Sequence, residues 1–311
     1  MTGPWNVSPG AALVALDGTE AGARLAFALA LAAAVLHAVF GAIQKGRHDP
    51  WLARGAIDAA YALMALPVAL FLVPWPDPHM WPVFAGVVVI HAGYKLLQAM
   101  AYSRGAYTVV YPVVRGTGPL FAVAAAWVLF GEAFSPLQWL GLAVLVSGIF
   151  GLAAYNLVHV RVDRDTLVPA LALAVATGAF VAFYTTYDAW GIRQATDPFT
   201  FLAWFFVLDG LVMPPIAARM WWRAADRPAL GPLALRGVLG GLVAFGSFGS
   251  FLLATRIGKV GEAAVIRETS TVFAALIGVV FLRETVGPRR IALMALIAAG
   301  AMIVEAGRRL G

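Results

Sequence analysis

Residues 104–136 read RGAYTVVYPVVRGTGPLFAVAAAWVLFGEAFSP, and residues 256–288 read RIGKVGEAAVIRETSTVFAALIGVVFLRETVGP. A shift of 152 residues, from Arg104 to Arg256, superimposes the two stretches. Two unrelated apolar segments would match by chance mainly at Ala and Val. Here the matching positions include charged residues and proline. We therefore predict two homologous halves. The coinciding positions are Arg104 with Arg256, Arg115 with Arg267, Thr117 with Thr269, Phe121 with Phe273, Glu132 with Glu284, Pro136 with Pro288 and Gly148 with Gly300.

The repetition reaches the beginning of each half. The dipeptide Asp49-Pro50 recurs as Asp197-Pro198, and a basic residue precedes each aspartate by four positions. We predict an N-terminal repeat over residues 1–157 and a C-terminal repeat over residues 158–311.

Each half contains five apolar stretches of the length that an α-helix needs to cross a bilayer, about 20 residues. Because five is odd, the second half enters the membrane in the opposite sense. The sequence predicts an all-α membrane protein with ten transmembrane helices, arranged as two inverted five-helix repeats around a central cavity, an architecture of secondary transporters. The predicted spans are 24–44, 51–73, 81–103, 106–130, 136–157, 167–191, 198–221, 232–255, 259–282 and 288–307.

The composition supports a location in the membrane. The chain is 61% hydrophobic and 12% charged, with a mean hydropathy of +0.83, whereas soluble domains carry about 25% charged residues. The net charge of +6 comes mostly from arginines in short loops, which is typical of membrane proteins. We expect a multi-pass inner-membrane protein without a cleaved signal peptide. Its expected partners are the lipid bilayer and a small-molecule substrate, not nucleic acid, and a monomer is sufficient.

Motifs of catalysis are missing from the sequence. The chain has no cysteine and no H-E-x-x-H, G-x-S-x-G or nucleotide-binding loop. We predict that the protein is not an enzyme, needs no cofactor or metal and is not driven by ATP. Coupling to protons, counter-exchange and facilitated diffusion stay open.

Charged residues lie deep in several predicted spans. Arg115 is nine residues into its span and therefore about 14 Å deep, and its repeat mate Arg267 lies at a similar depth beside Glu268. A charge at the bilayer centre costs at least about 2.5–3.5 kcal/mol. We expect the two arginines to bind a carboxylate or phosphate, with Glu268 or Asp209 binding an ammonium group or a proton. The alternative is that these charges pair only with each other and hold helices together.

A polar stripe follows the third predicted span. His91, Tyr94, Lys95 and Gln98 share one helix face by their spacing, and Ser247 lies in the corresponding span of the second half. The stripe either lines a wet cavity or packs against protein. Further candidates for substrate binding are Tyr184 and Asp188, one turn apart in the sixth span, and His37 in the first. The latter is either a packing residue or a proton site.

Prolines and glycines surround Arg115 in the fourth span: Pro112, Gly116, Gly118 and Pro119. They are expected to weaken that helix, which would free backbone carbonyls for a substrate or provide a hinge. Glu132 and Glu284 end the fourth and ninth spans. Because a carboxylate at a helix C-terminus opposes the helix dipole, we expect a cationic partner for each.

The run from Gly118-Pro119-Leu120-Phe121 through Phe130-Gly131-Glu132 to Gln138-Trp139-Leu140-Gly141 and Gly148 resembles the EamA-type module of the drug/metabolite transporter superfamily. The second copy, from Thr271-Val272-Phe273 to Glu284 and Gly300, is similar but has Thr271 where the first has Pro119. Lys45, Pro50 and Arg54 resemble the first-loop pattern of that family. The likeness covers roughly residues 24–307.

The resemblance implies a transporter similar in layout to exporters of amino acids and metabolites. We expect export of amino acids or similar small zwitterionic or anionic metabolites by alternating access. The alternatives are organic phosphates, nucleotide-linked metabolites or amphipathic drugs. The orientation stays open, because loop arginines place both termini outside whereas the resemblance implies that they are inside.

Overall fold

The computed structural model describes residues 8–44, 49–104, 107–159, 164–280 and 287–310. Every regular element in these ranges is a helix. Lys45 and Glu284, singled out by the repeat, lie outside them. The helices are α1 (Pro9–Val14), α2 (Glu20–Gln44), α3 (Pro50–Pro67, extended by a π-helical turn over Val68–Leu72), α4 (Met80–Arg104), α5 (Tyr107–Phe130), α6 (Pro136–His159), α7 (Arg164–Gln194), α8 (Pro198–Asp209), α9 (Met213–Arg223), α10 (Leu230–Ile257), α11 (Val260–Arg267), α12 (Ser270–Val280) and α13 (Pro288–Leu310).

Nine helical stretches of the described chain are long and apolar enough to cross a membrane. They correspond to nine predicted spans, and the count of ten stays a prediction. Large apolar side chains such as Leu63, Phe71, Trp127 and Leu242 point outward and are exposed. In water such a surface would be strongly unfavourable, so it faces lipid. The protein is a multi-pass membrane protein.

Two predicted spans are interrupted in the structure. The seventh, predicted as one helix over 198–221, consists of α8 and α9, and the ninth, predicted over 259–282, consists of α11 and α12. At the second break the amides of Glu268 and Thr269 bond to carbonyls three residues back, at 3.1 and 3.0 Å. By contrast, α5 runs without a break past the prolines that were expected to weaken it.

The repeated Asp-Pro dipeptide begins a helix in both halves. Asp49 accepts hydrogen bonds from the amides of Trp51 and Leu52 at 2.8 and 3.2 Å. Asp197 does the same for Phe199 and Thr200 at 2.7 and 3.1 Å. The aspartate satisfies amides that the first turn leaves without partners, and the following proline has no amide hydrogen to satisfy.

The helix packing follows the repeat. Helix α2 packs against α10, and α4 packs against α7. In the repeat, α2 corresponds to α7 and α4 corresponds to α10. Exchanging each helix for its repeat mate therefore converts one packed pair into the other. Three further pairs join each helix to its own mate: α6 with α13, α3 with α8 and α9, and α5 with α11. Such an exchange is what a pseudo-two-fold axis in the membrane plane produces.

The helix directions define two faces of the molecule. At one face, which we call the terminal face, α2 begins and α5, α7, α10 and α13 end. At the other face, which we call the opposite face, α2 and α4 end and α3, α5 and α7 begin.

Candidate functional site

A cavity of about 150 Å³ lies between the two repeats. Its wall comes from α2, α3, α4 and α5 of the first half and from α7, α8, α10 and α11 of the second. It extends toward the opposite face, because Gly41 and Arg54 line it about one turn from the helix ends at that face. The predicted site residues in its wall are His37, His91, Tyr94, Gln98, Arg115, Tyr184, Ser247, Arg267 and Glu268.

Arg115 is held by an ion pair across the repeat interface. Its Nε lies 3.0 Å from the Glu268 carboxylate, and its guanidinium also donates to the Ser270 hydroxyl. The break between α11 and α12 brings these partners to Arg115. In a regular helix, consecutive side chains point about 100° apart. Because the helix is broken here, the consecutive residues Arg267 and Glu268 both line the cavity.

Arg267 has different surroundings from its repeat mate. Only 5% of it is exposed, and its guanidinium lies over the Phe251 ring at 4.0 Å from the centroid. In the part of the chain that the structure describes, Arg267 has no hydrogen-bond or ion-pair partner, and its Nε is buried without an acceptor. A buried guanidinium that faces a cavity and forms no ion pair with a described residue is suited to an anionic group of a ligand.

Lys95 does not line the cavity but lies behind its wall in a charged cluster. Its ammonium group is 2.7 Å from Asp58 and 2.9 Å from Asp209, and it donates to the Tyr61 hydroxyl at 3.2 Å. Arg54 pairs with the other Asp58 oxygen at 2.7 Å. Lys95 is therefore bound to protein carboxylates.

Asp188 also lies outside the cavity wall, behind His91. The His91 Nε2 is 2.8 Å from Asp188, and the Nδ1 is 3.3 Å from Asp209. The imidazole thus bridges α7 and α8, while its own helix α4 belongs to the other half.

The other predicted residues make short polar or aromatic contacts in the cavity wall. Gln98 donates to the Tyr94 hydroxyl at 2.6 Å, and the Tyr94 and Tyr184 rings lie 4.8 Å apart. Ser247 donates to the Ala33 carbonyl at 2.9 Å, which joins α10 to α2. His37 contacts the Phe40 ring at 6.1 Å.

Apolar rings complete the wall: Phe205, Phe206, Phe248 and Phe251. Phe205 and Phe248 are stacked with centroids 5.1 Å apart. These rings come from α8 and α10, and they were not predicted, since phenylalanine in an apolar span carries no distinguishing sequence pattern.

Three charged residues of the site were also missing from the predicted set. Arg54 was attributed to the family's first-loop pattern, Asp58 was overlooked, and Asp209 was named for a possible role but not as a site residue. Asp58 and Asp209 are both buried deep in apolar helices, so a search for intramembrane carboxylates would have found them. No cluster of His, Asp or Glu within the described ranges could hold a metal ion.

A second, polar cavity of about 630 Å³ opens near the terminal face; we call it the vestibule. Glu132 in its wall accepts hydrogen bonds from the Val260 and Gly261 amides at 2.6 and 2.9 Å, with Arg193 3.9 Å away. The expected cationic partner of Glu132 is thus present, but the shorter contacts are with the first amides of α11, a favourable position for a carboxylate.

An apolar layer lies between the cavity and the vestibule. Phe251 of this layer lines the cavity, whereas Ala263 and Ile266 line the vestibule. We call the layer the plug, and its residues are Ala30, Ala33, Phe251, Ala254, Ala263 and Ile266.

Comparisons with known proteins agree with this architecture. An uncharacterized protein, y4nH, from Sinorhizobium fredii (strain NBRC 101917 / NGR234) is 35% identical over 77 residues, which span 25% of this chain and 66% of that protein. A solved structure, described only as the crystal structure of a protein, superimposes with a TM-score of 0.71 at 19% identity, covering 90% of this chain and 98% of the other. At that identity the likeness shows the fold alone.

The family comparison covers most of the sequence. A model described as the EamA-like transporter family matches twice, over residues 24–154 and 168–305. The two matches fall on the two halves that the internal repetition indicates, and the helical fold with its central cavity fits them. The chain belongs to the EamA-like transporter family.

Proposed function

We propose that the protein is a secondary transporter that exports amino acids or similar small zwitterionic or anionic metabolites across the inner membrane by alternating access. The observation that carries this proposal is Arg267, a buried guanidinium in the cavity wall with no hydrogen-bond or ion-pair partner among the described residues. Desolvating such a group is costly unless an anion compensates it. A substrate carboxylate would provide two oxygens for a bidentate contact.

The size of the cavity favours a small substrate. Pockets for drug-sized ligands measure about 300–1,000 Å³, whereas this one measures about 150 Å³. The observations therefore support an amino acid above nucleotide-linked metabolites or amphipathic drugs.

An ammonium group would find partners close to the arginine. Glu268 is the residue next to Arg267 and lines the same cavity. The rings of Tyr94, Tyr184 and Phe248 offer faces that attract a cation. A zwitterion would thus place its two charges on groups of opposite sign within one small cavity.

Alternating access is supported by the position of the plug. The cavity extends toward the opposite face, and the plug separates it from the vestibule at the terminal face. Because the plug is made mostly of alanines from α2, α10 and α11, a small relative movement of these helices would connect the two cavities.

The test is uptake into liposomes that contain the purified chain, using separate radiolabelled amino acids, nucleosides and organic phosphates. We expect uptake of one or more amino acids, and a loss of at least tenfold in Arg267→Gln. Arg24→Gln is the matched control, because Arg24 is exposed and pairs only with Glu20 at 3.3 Å. Uptake of phosphates but not of amino acids, or full activity in Arg267→Gln, would contradict the proposal.

A further inference from the structure

The imidazole of His91 is placed between two carboxylates. Nε2 lies 2.8 Å from an Asp188 oxygen and Nδ1 lies 3.3 Å from an Asp209 oxygen. His91 is buried, and both carboxylates are buried as well. Nε2 is hydrogen-bonded to Asp188, and Nδ1 lies at ion-pair distance from Asp209.

This geometry distinguishes the protonation states of the ring. A carboxylate only accepts hydrogen bonds, and a neutral imidazole has a single N–H to donate. Either neutral tautomer would direct one nitrogen lone pair at a buried carboxylate oxygen. Only the doubly protonated ring places an N–H beside each carboxylate, so the two contacts favour an imidazolium.

Several buried charges surround His91. The carboxylates of Asp58, Asp188 and Asp209 face Arg54 and Lys95, which pair with Asp58 and Asp209. Arg267 of α11 adds a positive charge that acts electrostatically on Asp188. The charge count therefore does not decide the protonation state of His91, and the two contacts of its ring do.

The helices packed against His91 surround its ring with polar and aromatic groups. Helix α7 contributes Asp188 and the neutral Tyr184 ring, and α8 contributes Asp209 and Phe205. Helix α10 contributes only Phe248. Helix α3 contributes Tyr61, whose hydroxyl donates a hydrogen bond to Asp209 at 2.5 Å. Helix α4 itself carries Lys95 and Tyr94. No cation from these helices contacts the ring directly among the described residues.

We propose that His91 is the binding site of a coupling proton, held between Asp188 and Asp209 and exchanged with the cavity as the two halves move. His91 lies on α4 of the first half, whereas both carboxylates belong to the second. A movement between the halves lengthens at least one of the two contacts, and the proton then leaves to water in the cavity, which His91 and Asp209 line. This inference rests on the proposed function for its role in transport, whereas the proton site stands on its own geometry.

The first measurement observes the proton without any substrate. The chain, labelled with isotopic histidine in lipid nanodiscs, is studied by solid-state nitrogen NMR from about pH 6 to about pH 8.5, around the ordinary range of histidine. The His91 resonances are identified by their loss in His91→Gln and, should that variant not fold, by their change in Asp188→Asn. We expect two protonated ring nitrogens at His91 throughout. A singly protonated His91 near neutral pH would overturn the proposal.

The second measurement follows protons during transport. Liposomes containing the chain and a trapped pH-sensitive dye receive an external mixture of the common amino acids. We expect a change in internal pH with the wild type and with His79→Gln, and at least a tenfold smaller change per amino acid moved with His91→Gln. Amino-acid movement without any pH change would overturn coupling at His91. No amino-acid movement would instead contradict the proposed function, and the NMR result would still decide whether the site holds a proton.

Discussion

Arg115 and Arg267 occupy equivalent positions in the two repeats but differ in what surrounds them. The first is paired with Glu268, whereas the second lies over Phe251 and forms no ion pair with a described residue. The sequence alone predicted their depth and their symmetry. It did not predict this difference, because pairing depends on the break after Arg267 that directs Glu268 and Ser270 toward α5.

The two arginines should therefore differ in their contribution to stability. Arg115→Met removes the cation from a buried pair and leaves Glu268 as an uncompensated carboxylate, which costs about 3–5 kcal/mol. Arg267→Met leaves no carboxylate without its ion-pair partner. It should lower the free energy of unfolding by no more than the cation–π contact contributes, about 0.5–2 kcal/mol. Thermal unfolding in detergent measures both effects. Adding Glu268→Met to Arg115→Met should recover part of the loss, and a larger loss for Arg267→Met than for Arg115→Met would refute this reading of the contacts.

Asp58 is predicted to be the most sensitive carboxylate of the charged cluster. It pairs with Arg54 and Lys95, each at 2.7 Å, so Asp58→Ala leaves two cations with fewer partners inside the membrane. We expect the free energy of unfolding to fall by about 3–5 kcal/mol. Glu20→Ala is the matched control, because Glu20 pairs with Arg24 at 3.3 Å and the two side chains are 64% and 75% exposed. Exposed pairs contribute about 0–1 kcal/mol, and equal losses in the two variants would show that the cluster is not held as described.

At the scale of helices, local sequence was a good guide to where elements begin and a poor guide to where they break. The capping aspartates with their following prolines marked the beginnings of α3 and α8 in advance. Proline and glycine around Arg115 suggested a weak point in α5, yet the break lies in the mate of α5, between α11 and α12. Helix α5 is held by α6, α7 and α11, and such packing overrides local preference.

The contact between α6 and α13 depends on small residues from both halves. A methyl group added at Gly300 would lie 2.4 Å from the Leu145 amide and 2.7 Å from the Gly141 carbonyl, and one added at Gly141 would meet the Gly300 carbonyl at 2.7 Å. These backbones approach so closely that no side chain fits between them.

We expect Gly300→Leu to separate α6 from α13 and to lower the unfolding temperature and yield of the purified chain. Gly287→Leu is the matched control, because no described residue lies within 4 Å of a methyl group placed there. Detergent unfolding monitored by circular dichroism compares the two variants. An unchanged unfolding temperature for Gly300→Leu would show that the helices are not packed as closely as described.

At the scale of the whole molecule, the internal repetition predicted a cavity between two halves, and the exchange of helix pairs in the structure has that symmetry. The side toward which the cavity extends could not have been predicted. If the protein alternates as proposed, one sequence specifies at least two arrangements of similar free energy. In the structure, the plug separates the central cavity from the vestibule at the terminal face.

The chain contains no cysteine, so the closed plug can be tested with single introduced thiols against a background without labelling. Gly41→Cys lies in the cavity wall near the opposite face, where an added side-chain atom meets no described residue within 4 Å. Ala23→Cys lies in the vestibule. A membrane-impermeant maleimide should label the two thiols from opposite sides of the bilayer. Ala30→Cys in the plug is buried and should react at least tenfold more slowly than either.

Addition of a transported amino acid should raise the labelling rate of Ala30→Cys, because the plug must open once in each cycle if the two cavities connect in turn. The rate for Ala23→Cys should change little, since the vestibule is already open at the terminal face. The same three variants therefore report both the resting arrangement and its change. Rapid labelling of Ala30→Cys without substrate, or labelling of Gly41→Cys and Ala23→Cys from the same side, would contradict a plug that separates the cavity from the vestibule.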